Sequence, residues 1–287
     1  MANAVLGYNN RIEAATTVLS GGSWLAGLPL ANLKDRLYGV VARSTNLTLA
    51  STKFSVDLGA EKICRTFGIL NHSISNEGKF RIRAGIDATF ATYDFDTGWL
   101  EAWPTVYYPE DNDFELDSWW DGQYSDEEKA GLLPHKLVDM GSNYSIRYVM
   151  VEFDDQTNTA GYVQLGRFFV GEGYQATINI IYGLNLGWED PSEITTALSG
   201  AEDSDERTKY RVVNFEFKFL PEDEAMRSPY EIIRRSGITR EILFIQDPAD
   251  LAHAIRRQFP CRLRELSALE YANVNAHNVP LQAKEWI

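Results

Sequence analysis

The sequence predicts a mainly β protein, a sandwich or barrel over its first two thirds followed by a small mixed α/β unit. Short runs of alternating apolar residues recur between Gly, Asn, Asp and Ser, no helical periodicity separates them, and capped helix patterns begin only after residue 207. Many short strands without intervening helices bury their apolar faces by closing into sandwiches or barrels.

Phe54, Val56 and Leu58 alternate with polar partners, as do Phe80, Ile82 and Ala84 with Arg81 and Arg83. Each run predicts a strand with one buried face. Residues 62–70 and 144–153 are apolar on both phases, as in strands covered on two sides. Strands follow over 162–170 and 177–188, the latter placing Ile178, Ile180, Tyr182, Leu184, Leu186 and Trp188 on one face. An acidic loop, 189–207, precedes a strand over 211–219 with Val213, Phe215, Phe217 and Phe219 on one side. Ser228, Pro229 and Glu231 open a short helix as a capping box with a first-turn proline, and Gly237 stops it. Residues 241–246 read as a strand. Asp247 then caps a helix with the stripe Leu251, Ile255 and Phe259, its last turn carrying Arg256 and Arg257 to complement the dipole. Strands over 261–266 and 279–286 end the pattern. The organisation expected is an N-terminal arm, 1–27, a β-sandwich, 28–175, and a C-terminal α/β domain, 176–287.

The 287 residues hold 27 Lys and Arg against 41 Asp and Glu, a net charge of -14. That balance argues against nucleic acid as partner, because phosphate-backbone binding needs clustered bases. The 44% of apolar residues suffice for cores. No run approaches 18 apolar residues and the start lacks a basic stretch followed by an apolar one, so a soluble chain without a secretion signal or membrane insertion is expected. Cys64 and Cys261 sit in apolar strand contexts and read as buried free thiols of a protein made in a reducing compartment. The negative charge is concentrated. Residues 93–129 contribute -11 and residues 189–207 another -6, leaving a remainder of +3 on which basic faces can meet acidic neighbours.

Catalytic constellations are thin. His72, His135, His253 and His277 show no paired ligand spacing, and neither a nucleophile elbow nor a phosphate-binding loop occurs. Gly171 to Ala176 loosely matches a dinucleotide fingerprint but joins two strand runs instead of opening a helix. His72 reads as a loop residue satisfied by hydrogen bonds, and Cys64 has no activating base because Arg65 points to the opposite face. No catalytic residue, cofactor or metal is predicted. The distinctive segment is 93–129, with ten aromatics and four of the seven tryptophans. Three readings fit it: an excursion whose aromatics fold back on the core, a protein interface of aromatic anchors in an acidic rim, or a ligand site with sugar stacking or cation binding. The candidate contact residues are Trp99, Trp103, Trp119, Trp120 and Tyr124. Asp111, Asp113, Glu115 and Asp117 alternate like the start of a calcium loop, but Leu116 replaces the required Gly and Gly122 the bidentate Glu, which leaves only an irregular site open. A glycosidase pair would need carboxyls about 5 to 9.5 Å apart, which spacing along the chain cannot supply.

The stretches Trp24 to Leu33, Ala42-Arg43-Ser44, Phe54 to Gly59, Ile69 to Ser73, Phe80 to Ala84 and Tyr162 to Gly171 resemble, in their order, a discoidin-like (galactose-binding-like) jelly roll. More narrowly, they resemble the version found in structural proteins of tailed-phage virions. The resemblance covers residues 24–175. It implies a virion subunit of the tail tip or baseplate, assembled in the bacterial cytoplasm, that acts through contacts with other virion proteins and copies of itself. Its alternative is a glycan-binding module that recognises a host-surface receptor, since modules of this fold often bind sugars at one end of the sandwich. The long acidic excursion departs from a minimal discoidin loop and shifts the expectation from sugar towards protein contact.

Overall fold

A computed structural model describes residues 2–287, with the exception of residues 109, 111–116, 121, 197 and 274. In chain order the strands are β1 (Val5–Tyr8), β2 (Val18–Ser20), β3 (Ala42–Arg43), β4 (Phe54–His72), β5 (Lys79–Gly85), β6 (Phe95–Asp96), β7 (Leu100–Glu101), β8 (His135–Asp154) and β9 (Gln164–Gln175). Then come β10 (Asn185–Glu189), β11 (Glu193–Thr196), β12 (Glu202–Asp205), β13 (Tyr210–Pro221), β14 (Ile242–Ile245), β15 (Gln258–Leu263), β16 (Glu270–Asn273) and β17 (Ala276–Glu285). The helices are α1 (Asp126–Lys129), α2 (Glu222–Arg227), α3 (Pro229–Ser236) and α4 (Ala254–Arg257). Two compact units result, one of residues 1–175 with 243–259 and one of residues 176–242 with 260–287.

The first unit is an antiparallel jelly-roll sandwich. β4 pairs with β8 from Phe54↔Val151 to Leu70↔His135 and with β9 from Thr66↔Gly171 to His72↔Leu165. β5 pairs with β8 and carries the short strands β6 and β7 on its other edge. Thirteen residues separate Phe54 from Phe67, about 43 Å along a straight strand. Both rings nevertheless pack against Phe168, at 5.4 and 6.3 Å between centroids. β4 therefore folds over between them, at the exposed residues 59–63 where its register against β8 shifts, and the fold makes the two layers. Gly59 takes a positive φ of 77° there, and a Cβ would lie 2.9 Å from Thr16. Between the layers lie Phe54, Val56, Phe67, Ile69, Phe80, Ile82, Val149, Val151 and Phe153, the inward residues of the alternating runs.

Three expectations about this unit change. Residues 1–27, expected as a separate N-terminal arm, contribute strands to this unit: β1 pairs with β9 at Val5↔Gln175 and β2 pairs with β4. Residues 243–259, expected in the C-terminal domain, belong here, since β14 pairs with β1 at Val5↔Ile245. His72, expected as a loop residue satisfied by hydrogen bonds, ends β4 buried, and neither ring nitrogen has a hydrogen-bond partner among the described residues. Burial, with the nearby His135 and Lys136 adding positive charge, pushes its pKa down to about 3. The Cys64 thiol is free and buried, which raises its pKa to about 12; Cys261, in the second unit, is also free and buried and is raised by the same cause.

The second unit places β13 between β10 and β17, with β15 and β16 also pairing with β17. Val213, Phe215, Phe217, Val279, Leu281 and Ala283 form its buried face, and Ala225, Ile232 and Ile233 of α2 and α3 are buried as well. Arg211 and Glu285 form a buried ion pair, with Nε donating to Oε2 at 2.9 Å. Phe219, expected with the buried phenylalanines, is exposed. A register shift between Phe217 and Leu220 and a φ of 58° at Phe219 rotate it outward, and Leu220 takes the buried place. The strand expected over 177–188 begins only at Asn185, because Gly183 breaks it with a φ of 111°. The expected loop 189–207 contains a two-stranded hairpin, β11 paired with β12.

In the first unit, the helix expected after Asp247 shrinks to α4, and Leu251 is exposed. Asp247 accepts from the Ala249 N–H and Asp250 from the His253 N–H, both at 3.1 Å, and these local turns compete with the first helical turns.

Candidate functional site

The acidic, aromatic segment 93–129 leaves the sandwich from the edge of β5. β6 and β7 pair with that edge, and Arg81 Nε donates to Asp96 Oδ1 at 2.9 Å. The Arg81 guanidinium, joined by the Gly98 N–H, holds the Asp96 carboxyl below the usual carboxylate range despite partial burial.

Past this edge the chain is pinned by two aromatic anchors. Trp103 is 5% exposed; its indole N–H donates to the Ile74 carbonyl at 2.9 Å, its ring meets His72 edge-on at 5.7 Å, and the Lys129 ammonium lies 4.8 Å from its centroid. Tyr124 is buried, donating to the Ala252 carbonyl at 3.4 Å with the Arg256 guanidinium 4.6 Å from its ring. Directly after Tyr124, α1 starts with a reciprocal capping box in which Ser125 accepts from the Glu128 N–H and Glu128 accepts from the Ser125 N–H. Glu128 also accepts from Tyr107 and from Arg256, the latter at 3.0 Å. Burial works to raise its pKa, but these hydrogen bonds outweigh it and the carboxyl stays below its ordinary value.

The candidate contact residues therefore separate. Trp103 and Tyr124 are buried anchors of the segment, and Tyr124 also reaches the wall of a groove. Trp99 is 42% exposed, Trp119 is half-buried, and Trp120 is 78% exposed. Trp119 and Trp120 meet edge-to-face at 4.7 Å, in a turn closed by the Gly122 N–H on the Ser118 carbonyl at 2.9 Å. The ends of this turn, Ser118 and Gln123, line an open groove of about 380 Å³ whose other walls are Asn76, Tyr124, Ser125, Asp126 and Glu127. Gln123 is set by its amide N–H group, which donates to the Asn76 and Trp103 carbonyls at 3.1 Å. Asn76 carries no motif, and Ser125 only the S-x-x-E pattern of a helix cap, which marks a helix start and not a groove. Asp111, Asp113, Glu115 and Asp121 lie outside the described residues, as does the side chain of Asp117. No group of three or more His, Cys, Asp or Glu placed to hold a metal ion occurs among the described residues. No helix among them is long and apolar enough to cross a membrane.

No protein-family model matches the chain, and no curated protein does. Similar solved structures include the family 32 carbohydrate-binding module of NanJ from Clostridium perfringens in complex with galactose, 15% identical over 58% of this chain and 99% of that one, with a TM-score of 0.37. The lectin domain of lectinolysin complexed with Lewis b antigen is 16% identical over 57% and 97%, with a TM-score of 0.37. A fucose-binding module of Streptococcus pneumoniae is 14% identical over 57% and 95%, with a TM-score of 0.36.

Proposed function

We propose that the chain binds a neutral saccharide at the Trp119–Trp120 turn. The observation that carries this reading is an open groove whose lining side chains each carry a polar group, with Trp120 exposed on the turn that forms one wall. A pyranose offers two chemistries, a flat C–H face and a ring of hydroxyls. An exposed indole stacks on the first. Amide, hydroxyl and carboxylate groups such as those of Asn76, Ser118, Ser125, Asp126 and Glu127 bond the second. The Asp126 and Glu127 charges accept from sugar hydroxyls and repel sialylated or sulfated glycans, so the selectivity is for uncharged sugars.

A glycan array with the wild type and Trp120→Ala tests this. Neutral saccharides are expected to bind the wild type and to lose at least about tenfold in affinity, roughly 1.4 kcal/mol, in the variant. Binding to no sugar, or equal binding by both proteins, overturns the reading.

A second reading is an assembly subunit of a tailed-phage virion. It rests on the sequence resemblance of residues 24–175 and is favoured by the exposed hairpin β11–β12, which has the form of an interaction arm. Mass spectrometry of purified particles from the producing host tests it: the chain's peptides co-purify with tails if it holds and are missing if it does not.

A further inference from the structure

Two surfaces of the second unit each carry a cross-strand pair of like charges, and the two pairs have opposite sign. In the hairpin, Glu193 stands directly opposite Asp205 and Thr195 opposite Asp203, so three carboxylates share one face. Like charges in register destabilise a strand pair. Arg207 offsets part of this, lying 3.0 Å from Glu193 and 3.1 Å from Asp205, whereas Glu202 and Asp203 form no ion pair among the described residues. Every residue of both strands is exposed, and β11 and β12 form a sheet of their own. Such a two-stranded hairpin is marginal in water unless another surface covers it.

The complementary surface is the face of β13, β17 and β15 opposite the buried residues. Arg262 stands directly opposite Lys284, and Arg264 continues the ladder by donating its N–H to the Gln282 carbonyl at 2.9 Å. Arg264 reaches Glu189 at 2.9 Å, but Arg262 and Lys284 form no ion pair among the described residues. Arg262 lies 5.5 Å from the Trp286 ring and Lys284 5.3 Å from the Tyr210 ring. Burial first, then the Arg262 and Arg264 charges, lower the Lys284 pKa. Two bases without an ion pair among the described residues, each beside an aromatic ring and flanked by Arg264, suit an anionic, strand-like partner.

We propose that the acidic face of the β11–β12 hairpin docks on the Arg262–Lys284–Arg264 face of a second copy of this chain. The occupant is assigned by charge and by form. Both like-charge pairs are cross-strand neighbours, so carboxylates and bases are spaced by the same strand separation and can meet one to one. Because hairpin and face are different patches, each copy presents both halves of the contact. Association is salt-sensitive, since the charges are at the surface. Glycan binding in the first unit plays no part.

Charge exchange in the full chain tests the proposal by sedimentation. One variant carries Arg262→Glu with Lys284→Glu, the other Asp203→Lys with Asp205→Lys; circular dichroism checks that both remain folded. Wild type is expected to self-associate at low salt and to dissociate in about 0.5 M NaCl, where the Debye length is only several Å. Each variant alone is expected to lose at least tenfold in self-association. Their equimolar mixture regains it, because each then supplies the complement that the other lacks. A wild type that stays monomeric at 100 μM and low salt, variants that associate like wild type, or a mixture that fails to recover would each overturn the proposal.

Discussion

Arg65 and Asp139 form an ion pair inside the first unit, Nε to Oδ1 at 2.7 Å and a second guanidinium N–H to Oδ2 at 3.1 Å, with side chains only 9% and 5% exposed. The sequence placed Arg65 on the face opposite Cys64, and the pair shows what occupies that face.

Breaking this pair from one side leaves a guanidinium without its counter-charge in a desolvated site. Asp139→Ala is expected to destabilise the protein by about 3–5 kcal/mol, whereas the double change Arg65→Met with Asp139→Leu costs much less. Urea unfolding of the three proteins measures the difference. Equal losses for the single and double variants would show that packing, not charge, holds the site.

The two classes of tryptophan in the 93–129 segment predict opposite phenotypes. Trp103→Ala removes a buried ring and its bond to Ile74, for a loss of about 3–5 kcal/mol of stability. Trp120→Ala is expected to change stability by less than about 0.5 kcal/mol, as at other exposed positions, while weakening the proposed sugar binding. Thermal melts beside binding assays separate the two.

His72 predicts a pH dependence. Its pKa lies at about 3 in the folded chain against an ordinary 6.5, so between these values the unfolded chain binds more protons. The stability associated with a neutral His72 is complete above about pH 6.5 and is lost progressively as pH falls towards 3. The carboxylates titrate in the same range, so the readout is the comparison with His72→Leu, which is expected to lose less stability on acidification. Parallel pH profiles for the two proteins would refute this.

Lys136 works at the alkaline end. Burial lowers its pKa from 10.5 to about 8, partly opposed by Glu101, and its neighbours Trp103, Leu137 and Ile255 line an apolar pocket. The unfolded chain then binds the extra proton between pH 8 and 10.5, so stability rises with pH across that window. Lys136→Met is expected to raise the melting temperature at pH 7 and to flatten this rise. A lower melting temperature at pH 7 would mean that the ammonium has a partner worth more than its desolvation.

The strand runs 54–58 and 80–84 are legible because alternation reports a face buried against the other layer, and 62–70 because its apolar residues on both phases report cover on two sides. Trp103 and Trp120 were not separable, for both sit among carboxylates; the Ile74 carbonyl and His72, which make Trp103 an anchor, come from another part of the chain. The groove was illegible for the same reason, joining Asn76 to residues more than forty positions away. The hairpin β11–β12 gave no signal because it has no buried face for alternation to mark.

The pairing of Val5 with Ile245 also governs how the protein is made. Within the first unit the strand nearest the start of the chain waits for one that is synthesised some 240 residues later, after 176–242 of the second unit have emerged. A fragment ending at residue 175 would look like a complete module in sequence, yet it would present β1 as an uncovered edge, open to pairing with any extended chain nearby. The first unit is thus safest expressed together with residues 243–259, because β1 gains its second partner only when β14 has been made.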